Sequence, residues 1–457
     1  MKAVIMAGGQ GTRLRSISED LPKPMVPVLG KPILQYQIEG LRENGITDIT
    51  IMTGYKAEAI SGYFGDGSGF GVDISYVNED HPMGTAGALY FLRGRIKEDF
   101  LLLMGDLMMS VDFERFMDFH RLHGGLVTLL VHPNAHPYDS DVILTDRSLS
   151  VSDFTEDKCG LGREPEFREP SGLVTGVLSK NAERSAPCHN MVNSGVYALS
   201  ARVLDLIPKP EGLKKTDLDK DIIRPLIAED KVYAFHSTEY IKDMGTPERY
   251  EAVTRDLESG LIEARNLKNR QKCIFLDRDG TINEYLGLLR RPEELRLMGG
   301  VPEAIRLIND SEYLAIVVTN QPVIARGDIN FEELDLIHAK LETELGKEGA
   351  YLDDIFFCPH HPDSGFESEV RELKFRCVCR KPGTGMIDQA AKRYNIDLES
   401  SYMIGDMTMD VLCGKNAGLR TVLLETGKGG SDGIYEVEPD MIAPDLLTAM
   451  RRILGRE

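Results

Sequence analysis

The stretch from Ile274 to Asn283 reads Ile-Phe-Leu-Asp-Arg-Asp-Gly-Thr-Ile-Asn and decides the fold of the second half of the chain. Its apolar run, which starts at Cys273, has the length of a buried strand and ends in two carboxylates, Asp277 and Asp279. Open parallel sheets bind ligands where their strands reach their carboxyl ends, and Gly280 lets the backbone turn away at once. One carboxylate can attack phosphorus and the other can move a proton, while both hold a divalent cation. The alternative is a surface turn after an ordinary strand, and the companion motifs described below disfavour it.

The composition bounds the class of protein. The 457 residues suffice for two or three domains, and 42% hydrophobic with 28% charged residues is ordinary for a soluble protein. The net charge of −20 disfavours nucleic acid and anionic membrane surfaces as partners, although local Lys, Arg or Mg²⁺ can still attract small anions. The first apolar run is too short for a signal peptide, and no stretch approaches the roughly 20 apolar residues of a membrane span. We therefore expect a cytoplasmic protein.

A glycine-rich loop follows the first predicted strand, Lys2–Met6. Three glycines over four positions allow backbone amides to approach phosphates closely, and Arg13 adds a fixed positive fork. The loop matches neither a Walker loop nor the dinucleotide fingerprint. Ten residues further on, two prolines stiffen the chain around Lys23, which favours a positive charge held in place over a merely solvated lysine.

Ala-Gly-Gly-x-Gly-Thr-Arg at 7–13, followed by Pro-Lys-Pro at 22–24, resembles the signature of the sugar-1-phosphate nucleotidyltransferases. The resemblance implies a Rossmann-like (GT-A-like) mixed sheet. Residues 79–88 resemble the family's base-contacting loop, and residues 191–197 resemble its sugar-binding strand. Asp106, after the predicted strand Phe100–Met104, and Asp243 resemble the two Mg²⁺ ligands. The implied nucleotide-binding residues are Ala7, Gly8, Gly9, Gly11, Thr12, Glu79, Gly84 and Thr85, the implied sugar-binding residues are Asn193 and Gly195, and the implied catalytic cations are Arg13 and Lys23.

The implied reaction joins two anions. A sugar phosphate oxygen attacks the α-phosphorus of a nucleoside triphosphate, and pyrophosphate leaves. Mg²⁺ between Asp106 and Asp243, together with Lys23 and Arg13, would neutralise both reactants and orient in-line attack. The alternative for Asp243 is a turn residue before Gly245.

The second half alternates predicted strands and helices. The strand Leu314–Val318 ends in Thr-Asn-Gln, and the strand Ser401–Ile404 ends in Gly-Asp. With residues 277–281 and Arg-Lys-Pro at 380–382, these resemble the four motifs of haloacid dehalogenase-like (HAD-like) phosphatases, which implies a parallel α/β sheet. The implied roles are Asp277 as nucleophile, Asp279 as general acid/base, Thr319 and Lys381 as phosphoryl ligands, Asp277, Asp279 and Asp406 as Mg²⁺ ligands, and Asn320, Gln321 and Arg380 as substrate contacts.

Cys-Pro-His-His at 358–361 and Cys-Val-Cys at 377–379 form the strongest metal signal. Three thiols and one imidazole in two short clusters predict a closed, structural Zn²⁺ site that staples the polar loop between them. The alternative is a set of incidental buried cysteines. Resemblance to the zinc-bearing heptose bisphosphate and histidinol phosphatases favours His360 over His361, which gives Cys358, His360, Cys377 and Cys379. The remaining cysteines, Cys159, Cys188, Cys273 and Cys413, lack metal spacing and are expected to be core or loop thiols.

The predicted organisation is a nucleotidyltransferase domain at 1–258, a polar linker at 259–271 and a HAD-like domain at 272–457. Two consecutive steps explain the fusion: dephosphorylation of D-glycero-D-manno-heptose 1,7-bisphosphate, then nucleotidyl transfer to heptose 1-phosphate. Resemblance of residues 79–88 to guanylyltransferases indicates GTP. Departures from the phosphatase pattern at 285–288, 322–323 and Met407 leave the phosphatase substrate open. The alternatives are a mannose-1-phosphate guanylyltransferase fused to a histidinol-phosphate or other small phosphatase, or one silent regulatory domain. The sequence leaves open whether the chain forms a homo-oligomer.

Overall fold

The computed structural model describes residues 1–9, 21–162, 170–180 and 186–456. We refer to the residues up to Gln271 as the N-terminal half and to those from Lys272 as the C-terminal half. Within the described residues, the N-terminal half carries a nine-stranded mixed sheet and the C-terminal half a six-stranded parallel sheet. The two predicted α/β architectures are therefore confirmed. The predicted residues Gly11, Thr12 and Arg13 lie outside the described ranges. In the part of the chain that is described, no helix combines the length and the apolar character that crossing a bilayer requires.

The strands of the N-terminal half are β1 (Lys2–Met6), β2 (Pro27–Val28), β3 (Lys31–Pro32), β4 (Asp48–Thr53), β5 (Asp73–Asn78), β6 (Phe100–Met104), β7 (Leu107–Ser110), β8 (Val127–His132), β9 (Val142–Thr145), β10 (Val174–Leu178), β11 (Val192–Leu199), β12 (Val232–His236) and β13 (Tyr240–Asp243). The helices are α1 (Ile33–Glu43), α2 (Ala57–Phe64), α3 (Gly84–Gly87), α4 (Phe113–His123), α5 (Glu156–Cys159), α6 (Val203–Leu206), α7 (Arg224–Ile227), α8 (Pro247–Glu258) and α9 (Leu261–Ala264).

The main sheet of this half has the strand order β10-β9-β11-β6-β1-β4-β5, with β8 beside β11 and β12 beside β8. The central strand β1 pairs in parallel with β4 and β6, and β11 then runs antiparallel to β6. The residues of β1 and β6 are apolar on both faces because helices cover the sheet on both sides. Because β1 and β6 are parallel neighbours, the loops that follow them meet at one edge of the sheet.

The C-terminal half contains β14 (Lys272–Leu276), β15 (Tyr313–Asn320), β16 (Asp354–Cys358), β17 (Tyr402–Gly405), β18 (Arg420–Leu424) and β19 (Met441–Ala443), with α10 (Val301–Asn309), α11 (Phe331–Lys347), α12 (Gly385–Tyr394), α13 (Thr408–Asn416) and α14 (Leu446–Ile453). The strand order is β16-β15-β14-β17-β18-β19, and each neighbouring pair is parallel. Because β14 lies between β15 and β17, the carboxyl ends of these three strands meet, as the sequence predicted.

The predicted strand at Leu314–Val318 extends further than expected, because β15 continues to Asn320. Its last residues pair with β16, where Asn320 is in register with Cys358, and the Gln321 N–H donates to the Cys358 carbonyl at 2.8 Å. The side chain of Thr319 is therefore fixed by the sheet rather than by a loop, which gives a rigid position at the candidate site.

The segment 259–271 is not the solvated joint that its Asn, Lys and Arg content predicted. It contains α9, and the exposed fractions of Leu261, Ile262 and Leu267 are only 8%, 6% and 4%. Leu267 packs in the core of the C-terminal half, while Ile262 packs against the N-terminal half. The few apolar residues of the segment thus outweigh its polar majority and hold it between the two halves.

Arg265, in the same segment, supports a test of how much this burial stabilises the protein. Its side chain is buried, and Nη2 donates to the carbonyls of Ser311 at 3.1 Å and Tyr313 at 2.7 Å while Nη1 lies 3.5 Å from Asp353. We expect Arg265→Met to lower the free energy of unfolding by about 3 kcal/mol, because a buried carboxylate and two carbonyls lose their partner.

Urea unfolding of both variants would measure the effect of Arg265→Met against a matched control. The control is Arg270→Met, since the Arg270 side chain is 67% exposed and its ion pair with Asp397 should contribute no more than about 0.5 kcal/mol. Equal losses in the two variants would contradict the interpretation.

Candidate active sites

The first candidate site lies where β6 and β13 end. Asp106 follows β6, and Asp243 is the last residue of β13, which pairs antiparallel with β7 so that Asp243 faces Leu107. The Met244 N–H donates to the Asp106 carbonyl at 3.0 Å. Lys23 forms an ion pair with the Asp106 carboxylate. The structure thus brings Lys23 and Asp106, which are 83 residues apart in the sequence, to the same end of the sheet as the more distant Asp243.

The carboxylate of Asp243 is held by Arg249, a residue that the sequence reasoning missed. Arg249 Nη1 donates to Asp243 at 2.6 Å, and Nη2 donates to Asp139 at 2.9 Å. Burial would raise the pKa of Asp243, but the hydrogen bond from Arg249 and the charge of Lys23 hold the pKa below its ordinary value. Arg249 stands in the first turn of α8 and belongs to no recognisable motif, so no sequence signal could have found it.

The beginning of the glycine-rich loop lies against Glu79. The Ala7 N–H donates to the Met52 carbonyl at 2.8 Å, and a Cβ added at Gly8 would lie 3.3 Å from Glu79 Oε2. Burial raises the pKa of Glu79, while the Met83 N–H opposes that shift. Gly9 is exposed at the end of this described segment. A half-buried carboxylate therefore faces the loop that was predicted to hold the nucleotide.

The loop at 79–88 is fixed by a contact with residues 216–218. Gly84 has φ +86°, and a Cβ there would lie 2.4 Å from the Thr216 carbonyl oxygen, so only glycine fits. Thr85 Oγ1 accepts from the Leu218 N–H at 2.7 Å and donates to Asp217 at 3.2 Å. Gly84 and Thr85 thus shape the loop, and both belong to the short helix α3.

The predicted sugar-binding residues open the strand β11. Asn193 Oδ1 accepts from the Gly195 N–H at 3.2 Å, and Nδ2 donates to the Tyr197 hydroxyl at 3.1 Å. Asn193 and Asp243 line one cavity of about 450 Å³. The wall opposite includes Tyr351 from the C-terminal half. The cavity beside the predicted sugar-binding residues is therefore lined by both halves of the chain.

The second candidate site lies at the carboxyl end of β14. Lys381 Nζ lies 2.6 Å from Asp277 Oδ1 and 2.6 Å from Asp410 Oδ1, and all three side chains are buried. Burial raises the pKa of Asp277 to about 7, against the opposing charge of Lys381. Burial alone would lower the pKa of Lys381, but Asp277 and Asp410 raise it above its ordinary value. One cation thus bridges two carboxylates in a dry site.

The carboxylates of Asp277, Asp406 and Asp410 fit a divalent cation. They offer oxygens that all lie within 4.8 Å of one another. Asp406 Oδ2 accepts from the Lys428 N–H at 2.6 Å, whereas the buried Asp406 Oδ1 has no hydrogen-bond partner among the residues that the structure describes. A Cβ at Gly280 (φ +90°) would lie 2.4 Å from Asp406, so this approach requires glycine. Mg²⁺ prefers such carboxylate oxygens.

Asp279 was predicted as a metal ligand together with Asp277 and Asp406, and the side-chain oxygens that converge belong to Asp277, Asp406 and also Asp410. The Asp279 carboxylate accepts from Arg278 Nη2 at 2.8 Å, from Asn283 Nδ2 at 3.0 Å and from Gln321 Nε2 at 3.0 Å. These contacts fix the orientation of the carboxylate that was predicted as the acid/base group. Arg278 is fully buried, which its place between two acidic residues in the sequence did not predict.

The three predicted substrate contacts of this half form hydrogen bonds to other groups of the site. Gln321 Nε2 also donates to Thr319 Oγ1 at 2.9 Å. Asn320 accepts from the Lys381 N–H at 3.0 Å and donates to the Lys381 carbonyl at 3.2 Å, so it holds that residue in place. Arg380 Nη1 donates to the His360 carbonyl at 3.2 Å and joins the site to the cysteine-rich loop.

Cys358, His360, Cys377 and Cys379 converge on one point. The sulfurs lie 3.3 to 3.6 Å apart, and His360 Nδ1 lies 3.3 Å from Cys358 and 3.2 Å from Cys379. A tetrahedral metal with ligands at about 2.0 to 2.3 Å requires spacings close to these. His361 is partly exposed and bonds its own loop. The donor set and geometry therefore fit Zn²⁺, with His360 as the imidazole.

Comparison with known proteins finds a family match for each half of the chain. Residues 2–260 match the nucleotidyl transferase family model, and residues 378–449 match the HAD-hydrolase-like model. A mannose-1-phosphate guanylyltransferase of Mycobacterium tuberculosis is 29% identical over 272 residues, which is 59% of this chain and 68% of the relative. A probable mannose-1-phosphate guanylyltransferase 1 of Oryza sativa is 30% identical over 369 residues, 78% of this chain and 94% of the relative.

The C-terminal half has relatives of its own. A D-glycero-beta-D-manno-heptose-1,7-bisphosphate 7-phosphatase of Haemophilus ducreyi is 39% identical over 160 residues, which is 35% of this chain and 85% of the relative. The nucleotidyl transferase model covers more than half of the chain, and the Haemophilus ducreyi phosphatase is matched over most of its length. The chain therefore belongs to the nucleotidyl transferase family and joins to it a HAD-like phosphatase of the heptose-1,7-bisphosphate 7-phosphatase family.

Proposed function

We propose that this bifunctional enzyme makes an activated heptose in two consecutive steps. The C-terminal half removes the 7-phosphate of D-glycero-D-manno-heptose 1,7-bisphosphate, and the N-terminal half then couples the remaining 1-phosphate to a nucleotide with release of pyrophosphate. The observation that carries the proposal is the presence of two separate carboxylate–lysine clusters, Lys23 with Asp106 and Lys381 with Asp277, each at the carboxyl edge of its own sheet. Both clusters suit phosphorus chemistry.

The phosphatase step is assigned to Asp277. Its carboxylate attacks the phosphorus, a P–O bond to the sugar breaks, and Asp279 gives a proton to the leaving oxygen. Lys381 and Thr319 hold the transferring phosphoryl group. Water, activated by Asp279, then attacks the aspartyl-phosphate and frees inorganic phosphate. Mg²⁺ held by Asp277, Asp406 and Asp410 would neutralise the phosphoryl oxygens.

The transfer step needs no covalent intermediate on the protein. An oxygen of the sugar 1-phosphate attacks the α-phosphorus of the nucleotide, and pyrophosphate leaves in line. Lys23 would neutralise the phosphates at the fixed position that its ion pair with Asp106 gives it. Asn193 would hold the sugar in the cavity that it shares with Asp243. Mg²⁺ on Asp106 and Asp243 would offset the charge of both reactants.

The nucleotide is proposed to be GTP. Guanine carries N–H groups that can donate hydrogen bonds to a carboxylate. Glu79 is a half-buried carboxylate beside the first glycines of the loop. The mannose-1-phosphate guanylyltransferase relatives support this assignment. We retain domain limits of 1–258 and 272–457, and we place the enzyme in the cytoplasm because its seven free cysteines suit a reducing compartment.

A substrate panel tests the proposal. We expect heptose 1,7-bisphosphate to release phosphate, and we expect pyrophosphate from heptose 1-phosphate with GTP at least tenfold faster than with ATP, CTP or UTP. Phosphate and pyrophosphate would be measured separately for each pair. Mannose 1-phosphate and histidinol phosphate complete the panel. Turnover of these two with no turnover of the heptose substrates would replace the proposal by its alternative, and preference for another base would overturn the assignment to GTP.

A further inference from the structure

Residues 149–160, which we name the arm, belong to the N-terminal half but pack in the core of the C-terminal half. Phe154 and Cys159 are 5% and 0% exposed, and both belong to the buried cluster built around β14. The Phe154 ring stacks on Phe331 of α11, with 5.2 Å between centroids and 12° between the planes. The arm is therefore an integral part of the phosphatase core, although the chain leaves it to return to the nucleotidyltransferase sheet.

The arm ends at the cysteine cluster, and backbone hydrogen bonds join the two. The Val378 N–H donates to the Cys159 carbonyl at 3.0 Å, and Gly160 forms an antiparallel bridge with Cys377. Val378 stands between two of the four predicted metal ligands. A shift of this pair of ligands would therefore break the backbone contacts of the arm.

His360 connects the cluster to the arm through its second ring nitrogen. Nδ1 points at the sulfurs of Cys358 and Cys379, while Nε2 lies 2.7 Å from the Phe154 carbonyl oxygen. A metal on Nδ1 leaves the proton on Nε2, and only that tautomer can donate to a carbonyl. Metal binding and docking of the arm thus require the same state of one imidazole.

Cys159 adds a fourth sulfur beside the three ligand sulfurs and the imidazole. Its side chain is fully buried and its backbone carbonyl accepts from the Val378 N–H, so it lies beside Cys377 and Cys379 without being one of the four groups that converge on the metal position. Residues that lie against the ligands from outside the ligand set tune metal sites. The N-terminal half therefore supplies two groups around this centre, the Phe154 carbonyl and the Cys159 thiol.

We propose that the metal centre at Cys358, His360, Cys377 and Cys379 couples the two halves of the chain. Its metal stabilises the docking of the arm on the phosphatase, and the docked arm in turn slows loss of the metal. The two effects are reciprocal because they are one coupling free energy. The fused chain thereby uses a loop metal of one half to hold the other half in place.

Hydrogen exchange of the full-length protein, followed by mass spectrometry, tests the first effect. The metal is removed with a zinc-selective chelator while Mg²⁺ is kept, and Zn²⁺ alone is added back. We expect the amides of 154–160 to exchange at least tenfold faster without the metal and to recover on addition of Zn²⁺, whereas β4 stays unchanged. If protection is lost only within 358–379 and the arm keeps its own, the metal merely staples its loop and the proposal is overturned.

The rate of metal release tests the second effect. We expect Cys159→Ala to release Zn²⁺ to a chromogenic chelator about tenfold faster than the unmodified protein. The matched control is Cys188→Ala, since Cys188 also lies at the contact between the halves but bonds Thr343 only through its backbone. Equal release rates in the unmodified protein and both variants would show that the arm does not act on the metal.

Discussion

Replacing Asp277 with Asn is expected to reduce phosphate release by roughly 10⁴-fold or more while pyrophosphate release stays within about twofold. The amide cannot attack phosphorus, so no aspartyl-phosphate forms. The shape of the side chain is kept, and Lys381 retains its 2.6 Å contact with Asp410, so the buried site should remain assembled. Both products would be measured on one preparation with heptose 1,7-bisphosphate and GTP supplied in separate assays.

A charged residue at the opposite edge of the same sheet provides the control. Glu312 forms an exposed ion pair with Lys272 at the start of β14, so Glu312→Gln should leave both activities unchanged. A parallel fall of phosphate and pyrophosphate release in the Asp277 variant would refute two independent sites. Phosphate release by the Asp277→Asn variant would exclude Asp277 as the nucleophile.

The second large effect concerns the other sheet. Asp106→Asn should reduce pyrophosphate release by roughly 10³-fold, because the developing charge on the α-phosphate loses a carboxylate-held Mg²⁺ and the Lys23 ion pair is weakened. Phosphate release from the bisphosphate should stay within about twofold. Titration of Mg²⁺ at fixed nucleotide would show whether the variant needs a higher concentration of the ion.

Asp48→Asn is the matched control for this variant. Asp48 starts β4 in the same sheet and pairs with Lys2 at 2.9 Å, far from the carboxyl edge. The control should keep full transfer activity. A similar loss in both variants would mean that the sheet, and not the Asp106 carboxylate, is the origin of the effect, and an active Asp106 variant would remove this residue from the reaction.

The sequence could predict the positions of the main site residues because strand ends determine them. An apolar run that stops at Asp277 can only present that residue at the sheet edge, and the same holds for Asp106 after Phe100–Met104. The cysteine-rich loop was predictable for a similar reason, since two short clusters of soft ligands bring their own spacing. The roles of these residues in catalysis remain predictions.

The direction of a side chain was not predictable in the same way. Asp279 and Asp410 both lie near the predicted metal site. The Asp279 carboxylate accepts hydrogen bonds from Arg278 and Gln321, whereas the Asp410 carboxylate forms an ion pair with Lys381. Apart from the contact between the neighbours Arg278 and Asp279, those contacts join residues far apart in the chain and depend on packing that no local pattern encodes. Arg249 was missed although it follows Asp243 by only six residues, because no motif marks it and its contact with Asp243 is visible only in the folded protein.

The burial of apolar residues in the segment 259–271 affects how either half can be studied by itself. Division of the gene within this segment would expose Ile262 or Leu267 on one of the two products, because Ile262 packs against the N-terminal half and Leu267 packs in the core of the C-terminal half. We therefore expect the two halves to aggregate when they are expressed separately. The protein should be purified as the undivided polypeptide.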